Sequence, residues 1–143
     1  MTISLRYRPV KIKSGKVIYK PIVPLIIGAR NNIHALAILD SGSDITIIPR
    51  EIADEIGIEY GDYNEISGLT GLPIKSREAK IKIIFGKGHE IYSFTIPALV
   101  PSIKQDIPLI IGRIGFFNHF KITFIESEKR LEFKKIDNFN VIR

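Results

Sequence analysis

Three short stretches hold the side chains able to do chemistry. The first reads Ala-Ile-Leu-Asp-Ser-Gly-Ser-Asp at positions 37–44. An apolar run ends at Asp40, and the chain then turns through Ser41 and Gly42. A carboxylate so placed lies at the end of a buried strand, where water is limited and amides can orient it. It can do acid–base chemistry near neutral pH if a second carboxylate lies beside it. The chain holds no second copy of this element: Asp62 is followed by Tyr63, and Asp106 by Ile107 and Pro108. By itself Asp-Ser-Gly often marks only a turn. The second stretch, 65–74, carries Gly68 and Gly71 between apolar positions, which suits a bendable hairpin tip. The third is Leu109-Ile110-Ile111-Gly112-Arg113, an apolar run ending in glycine and a cation.

The elements that must position these residues are mostly strands. Isoleucine is abundant, and β-branched side chains favour a pleated surface. Ile3, Leu5 and Tyr7 alternate with Ser4, Arg6 and Arg8, and Val17 and Tyr19 follow a turn at Ser14 and Gly15. Period-two patterning of this kind predicts half-buried strand. Runs 22–27 and 33–39 flank a turn cluster and predict a hairpin that delivers Asp40. Pro49 suits the first position of a helix, Ile52, Ala53 and Ile56 share one helical face, and Gly57 suits its stop. A short helix over 49–56 follows. Runs 79–85 and 90–96 predict a hairpin around Gly86-Lys87-Gly88. These glycines lack the third glycine and the helix of a dinucleotide fingerprint. A strand is expected over 107–111, a helix over 114–119 with Phe116, Phe117 and Phe120 packing, and a terminal hairpin over 121–136.

Composition removes several classes of function. The 143 residues suit one domain, 1–143, with a real core. Without cysteine there is no disulfide, thiol catalysis or cysteine metal site. His34, His89 and His119 are far apart and form no ligand spacing, so no metal or cofactor is expected. The formal charge of +6 is spread over strands and turns without a nucleic-acid-binding motif, so no nucleic-acid partner is expected. No run reaches the ~18 apolar residues that cross a membrane. The first residues alternate and form no signal-peptide block, which makes cytoplasmic residence the expectation.

Taken in order, the Asp40 stretch, the glycine-bearing tip and the Ile110-Ile111-Gly112-Arg113 run resemble the retropepsin-like aspartic proteases, the single-domain family that includes the retroviral enzymes. The resemblance spans roughly 22–136, and the terminal hairpin looks more like cellular and prokaryotic members. It implies a mostly β, closed barrel or sandwich with a flap hairpin and one or two short helices, working as a homodimer. It assigns Asp40 as the catalytic aspartate and Ser41 as the hydroxyl bracing the two active-site loops across the dimer. Gly42 offers an amide, and the Ser43 hydroxyl is placed to donate to the Asp40 carboxylate. Asp44 and Arg113 are expected to pair, joining the catalytic loop to the following helix. Ser67, Gly68, Leu69, Thr70, Gly71 and Leu72 match the flap, and Ile110, Ile111 and Gly112 the psi-loop. Ile114 and Gly115 depart from the pattern, since many relatives carry an acidic or amide residue after the arginine.

The implied function is an aspartic endopeptidase in which two Asp40 carboxylates activate one water. The expected partners are a second copy of the chain, paired through its terminal strands at 121–136 and 1–7, and an extended apolar peptide. Leu39, Ile47, Ile74, Ile110 and Ile111 are the expected cleft walls. The alternative is a catalytically silent peptide-binding or dimerisation domain of the same fold. A basic nucleic-acid-binding β domain is a third reading, resting on charge alone.

Overall fold

The computed structural model describes residues 2–66, 73–104 and 106–136. The strands are β1 (Thr2–Arg6), β2 (Arg8–Lys11), β3 (Val17–Lys20), β4 (Ile22–Gly28), β5 (Asn32–Leu39) and β6 (Thr46–Ile47). The helix α1 (Arg50–Ile56) and strands β7 (Tyr63–Ile66), β8 (Ile74–Lys87), β9 (Glu90–Pro101) and β10 (Ile110–Ile111) follow. Strands β11 (Phe120–Ile125) and β12 (Arg130–Lys135) end the described chain. The fold is therefore mostly β, with one short α-helix.

The main sheet runs β4-β5-β10-β6-β9-β8-β7. A further pairing of β4 with β8, from Ile26↔Ile84 to Gly28↔Lys82, closes six of these strands into a barrel. Closure removes the sheet edges that would otherwise invite aggregation. Inward residues alternate along the strands: Val23, Leu25 and Ile27 on β4, and Ala79, Ile81, Ile83 and Phe85 on β8, are all buried. At the closed end Phe85 meets Phe116, Phe120 and Phe133 edge-on, with ring centroids 4.8–5.5 Å apart. That geometry adds to the area each ring buries. A separate sheet, β1-β12-β11, joins the two ends of the described chain, with Ile3 opposite Phe133.

Helix α1 forms where apolar spacing places it. Ala53 and Ile56 are buried, and Gly57 closes the helix in the left-handed region (φ 70°, ψ 53°), its N–H donating to the Ala53 carbonyl at 3.1 Å. Pro49 stands one residue outside, as an extended N-cap, and does not occupy the first helical position.

The helix expected over 114–119 does not form. Gly115 takes φ 95°, and a β-carbon there would lie 2.8 Å from the Ile96 side chain. Its N–H donates to Asn118 Oδ1 at 2.8 Å, and only Phe117–His119 complete a 3-10 turn. The expected packing survives, because Phe116 and Phe120 are both in the core. The strand expected over 107–111 shortens to Ile110–Ile111. Pro108 supplies no N–H for a longer ladder.

Candidate active site

Asp40 stands at the end of β5, beside three neighbouring segments. Its N–H donates to the Ile111 carbonyl at 3.0 Å. One residue earlier, the Leu39 N–H donates to the Pro21 carbonyl at 2.9 Å. Strand β10 runs parallel to β5, pairing Ile110 with Ile38 and Ile111 with Leu39, and antiparallel to β6, pairing Ile110 with Ile47. A two-residue strand thus wedges between the strand that brings in the aspartate and the strand that leaves its loop.

The loop between them is held by main chain. The Gly42 N–H donates to Asp40 Oδ1 at 2.9 Å, and the Ser43 N–H donates to the Asp40 carbonyl at 3.2 Å. The Arg113 N–H donates to the Ser43 carbonyl at 2.9 Å, and the Ile114 N–H to the Asp44 carbonyl at 2.8 Å. Gly112 is required here by close approach. A β-carbon on it would sit 2.4 Å from the Ile45 carbonyl carbon and oxygen. The buried Thr46 hydroxyl accepts the Gly112 N–H at 3.1 Å. Asp40 is left partly buried, while Ser41 and Gly42 are exposed.

Several site residues sit differently from expectation. The Ser43 hydroxyl donates to the Ile45 carbonyl at 2.8 Å and not to the Asp40 carboxylate. The carboxylate takes the Gly42 amide instead, which reaches it without any side-chain rotation. Arg113 Nη2 pairs with Asp44 Oδ1, and both side chains are well exposed, at 54% and 72%. The partner segment of this pair is the turn after β10, not a helix. Ser67, Gly68, Leu69, Thr70, Gly71 and Leu72 lie outside the described residues. The strands leading to them, β7 and β8, pair from Tyr63↔Arg77 to Ile66↔Ile74.

The expected cleft walls divide into two groups. Leu39 and Ile111 point into the main core. Ile47, with Ile110 packed against it, belongs to a second apolar cluster with Ile66, Leu99, Ile45 and Ile107. Ile74 is buried opposite Ile66. A groove of about 1000 Å³ begins at Ile45 and Leu99 and runs past Asn64, Tyr60 and Glu59. The Asp40 carboxylate does not line it. Thr46, and the Ile66, Leu99, Ile45 and Ile107 members of this cluster, were not singled out as site residues from sequence. The available signal for Thr46 was a lone hydroxyl inside the apolar run 45–48.

Among the described residues no group of histidine, aspartate and glutamate is arranged to hold a metal. No described helix is long and apolar enough to cross a membrane. In the terminal sheet β12 is central, and its outer strands β1 and β11 pair with no further strand among the described residues.

No protein-family model matches the sequence, and no curated protein does. Solved structures do match. A retropepsin-like aspartic protease from Rickettsia conorii superposes with a TM-score of 0.58 at 14% identity, covering 93% of this chain and 91% of that one. The EIAV protease, in complex with an inhibitor, matches with a TM-score of 0.46 at 19% identity, over 73% of this chain and 88% of that one. The similarity to the Rickettsia protein shows that this chain has a retropepsin-like fold.

Proposed function

We propose that this retropepsin-like chain is an aspartic endopeptidase that works as a homodimer, with Asp40 of each copy forming the catalytic pair. The observation that carries the reading is the placement of Asp40. It ends a core strand, accepts the Gly42 amide, and sits in a loop interlocked with β10 by main-chain hydrogen bonds. The fold similarity supports the same reading.

The chemistry follows from two carboxylates sharing one proton. Like charges ~3 Å apart cannot both ionise, so the apparent pKa values of the pair separate. They belong to the pair and to neither residue alone. The ionised member takes a proton from a bound water, whose oxygen attacks the peptide carbonyl carbon. The protonated member gives a hydrogen bond to the carbonyl oxygen and later protonates the leaving nitrogen. The C–N bond breaks with no covalent intermediate. The chain supplies one such carboxylate, and a two-fold axis supplies the other. In this reading Ser41, which is exposed beside Asp40, braces its counterpart across that axis. Substrate is an extended peptide lying against Ile47 and Ile110, held partly by strand-like backbone pairing.

The test is hydrolysis of an apolar peptide library, followed by mass spectrometry. Asp40→Asn should reduce the rate by at least about a thousandfold, the scale of a lost acid–base group. Specific activity should fall on dilution as the dimer dissociates. Dimerisation and peptide binding with no cleavage from acid to neutral pH would instead identify a silent binding domain.

A further inference from the structure

Strands β2 and β3 form a two-stranded sheet that pairs with no other strand among the described residues. An isolated hairpin of this kind is marginal in water. This one also displays Ile12, Val17 and Tyr19, at 38%, 49% and 51% exposure. Its charge is one-sided. Every charged residue before Asp40 is a cation, seven in all, and six of them lie between Arg6 and Lys20. Cations do occur on strands and turns throughout, but from Asp40 onward fourteen of them are offset by fifteen acids, so the net excess is not spread as expected and resides in the segment containing this hairpin. None of the six makes an ion pair with another described residue.

The root of the hairpin lies beside the catalytic loop. Pro21, directly after β3, accepts the Leu39 N–H, and Ile22 pairs with Ile38. At this same end Arg8 stands opposite Lys20 in the antiparallel register. Like charges directly opposite each other on one face destabilise a hairpin. The chain therefore places two mutually repelling cations within a few residues of Asp40, with no acid of its own between them.

We infer that the β2–β3 hairpin is a substrate-selecting arm. Arg8 and Lys20 bind a carboxylate on a peptide flank, so the enzyme prefers apolar scissile sites flanked by aspartate or glutamate. This rests on the proteolytic reading above and adds the substrate class to it. The bound carboxylate relieves the Arg8–Lys20 repulsion, and the unpaired edges of β2 and β3 can add the peptide as a further strand. Lys11, Lys13 and Lys16, farther out, draw the acidic flank in before contact.

The experiment compares two peptides with one apolar core and either glutamate or glutamine on both flanks, using the intact protein and its Arg8→Gln/Lys20→Gln variant. Intact protein should cleave the glutamate peptide with about two- to fivefold higher kcat/KM at low salt, the scale of a carboxylate shared by screened surface cations. The advantage should shrink at high salt. In the double variant it should vanish while cleavage of the glutamine peptide is unchanged and thermal stability is equal or higher. Equal cleavage of both peptides by the intact protein overturns the arm and leaves the protease standing. If neither peptide is cut, the proteolytic reading fails, and fluorescence anisotropy decides the arm. Tighter binding of the glutamate peptide, lost in the variant, upholds it, and equal binding overturns it. An oligonucleotide of matched charge that competes as well as the glutamate peptide also overturns it, since the arm would then be a general polyanion site.

Discussion

Replacing Thr46 by valine tests how the Asp40 loop is held. Thr46 is fully buried on β6, and its hydroxyl accepts the Gly112 N–H at 3.1 Å. Valine keeps the branched shape and nearly the volume, so the change removes the acceptor and little else. A buried donor left without its acceptor costs about 1–3 kcal/mol. Serine at the same place keeps the acceptor and deletes one methyl, at about 0.8 kcal/mol of lost burial. Against a total stability of about 5–15 kcal/mol, both losses are measurable by urea denaturation. Protomer concentration must be held constant, because the apparent stability of the proposed dimer depends on it. The valine variant should unfold at lower urea than the serine variant, with unchanged slope. A valine variant as stable as the serine one would refute the claim that this hydroxyl ties Gly112, after β10, to β6 at the end of the Asp40 loop.

Gly112→Ala forces a β-carbon to within 2.4 Å of Ile45 backbone, which cannot rotate away. It should cost at least about 3 kcal/mol, whereas Gly88→Ala, where the space is open, should cost about 1 kcal/mol for its positive φ alone; thermal melts of the two separate crowding from conformational strain. Asp44→Asn should lower stability by less than about 1 kcal/mol, since the Asp44–Arg113 pair is well exposed and main-chain bonds hold the same two segments; a larger loss in urea would show that the pair carries the junction. Burial, with a smaller contribution from Lys135, holds the imidazole of His119 below its usual 6.5, and the ring stacks on Phe94 at 4.1 Å. The unfolded chain then binds the proton first, so this stability is present above pH 6.5 and is lost as pH falls through the folded value. His119→Gln should flatten that part of the urea-midpoint profile.

What the sequence disclosed was local. The β4–β5 hairpin followed from two β-branched runs around a turn cluster, and α1 from Ile52, Ala53, Ile56 and Gly57, because each signal lies within one element. The sheet order was not visible, since β10 pairs with β5 across about seventy positions of chain and no periodicity encodes such a partner. The lengths of β8 and β9 were underestimated for a related reason. Along β8 the buried positions pass from Ile74 and Ser76 to Ala79 and Ile81, so the alternation changes phase between them. A period-two template stops at that point. The register with β9 nevertheless runs unbroken from Ser76↔Pro101 to Lys87↔Glu90, because backbone pairing is indifferent to which face is buried. The 114–119 stretch failed in the opposite sense. Its phenylalanine spacing suits a helix, but Gly115 must pass close to Ile96 in a conformation no helix contains.

The candidate site shows why its key residues were legible and its bracing was not. Asp40, Ser41 and Gly42 are adjacent in sequence, and their spacing survives in any account of the fold. The bracing comes from Ile111, Gly112, Arg113 and Ile114, which meet the loop through main-chain groups that every residue possesses. Only the missing side chain of Gly112 and the hydroxyl of Thr46 leave a trace of that arrangement in residue identity. Fixing the loop by backbone has a chemical consequence. Among the described residues, the side chains of Asp40 and Ser41 are then not consumed in holding their own loop in place, apart from the bond Asp40 Oδ1 accepts from Gly42. Oδ2 of Asp40, which accepts no bond from another described residue, is open to a proton, a water or a second carboxylate. A lone carboxylate cannot be base and acid in the same encounter, so the proposed proteolysis needs a second carboxylate beside Asp40. The proposed dimer supplies it.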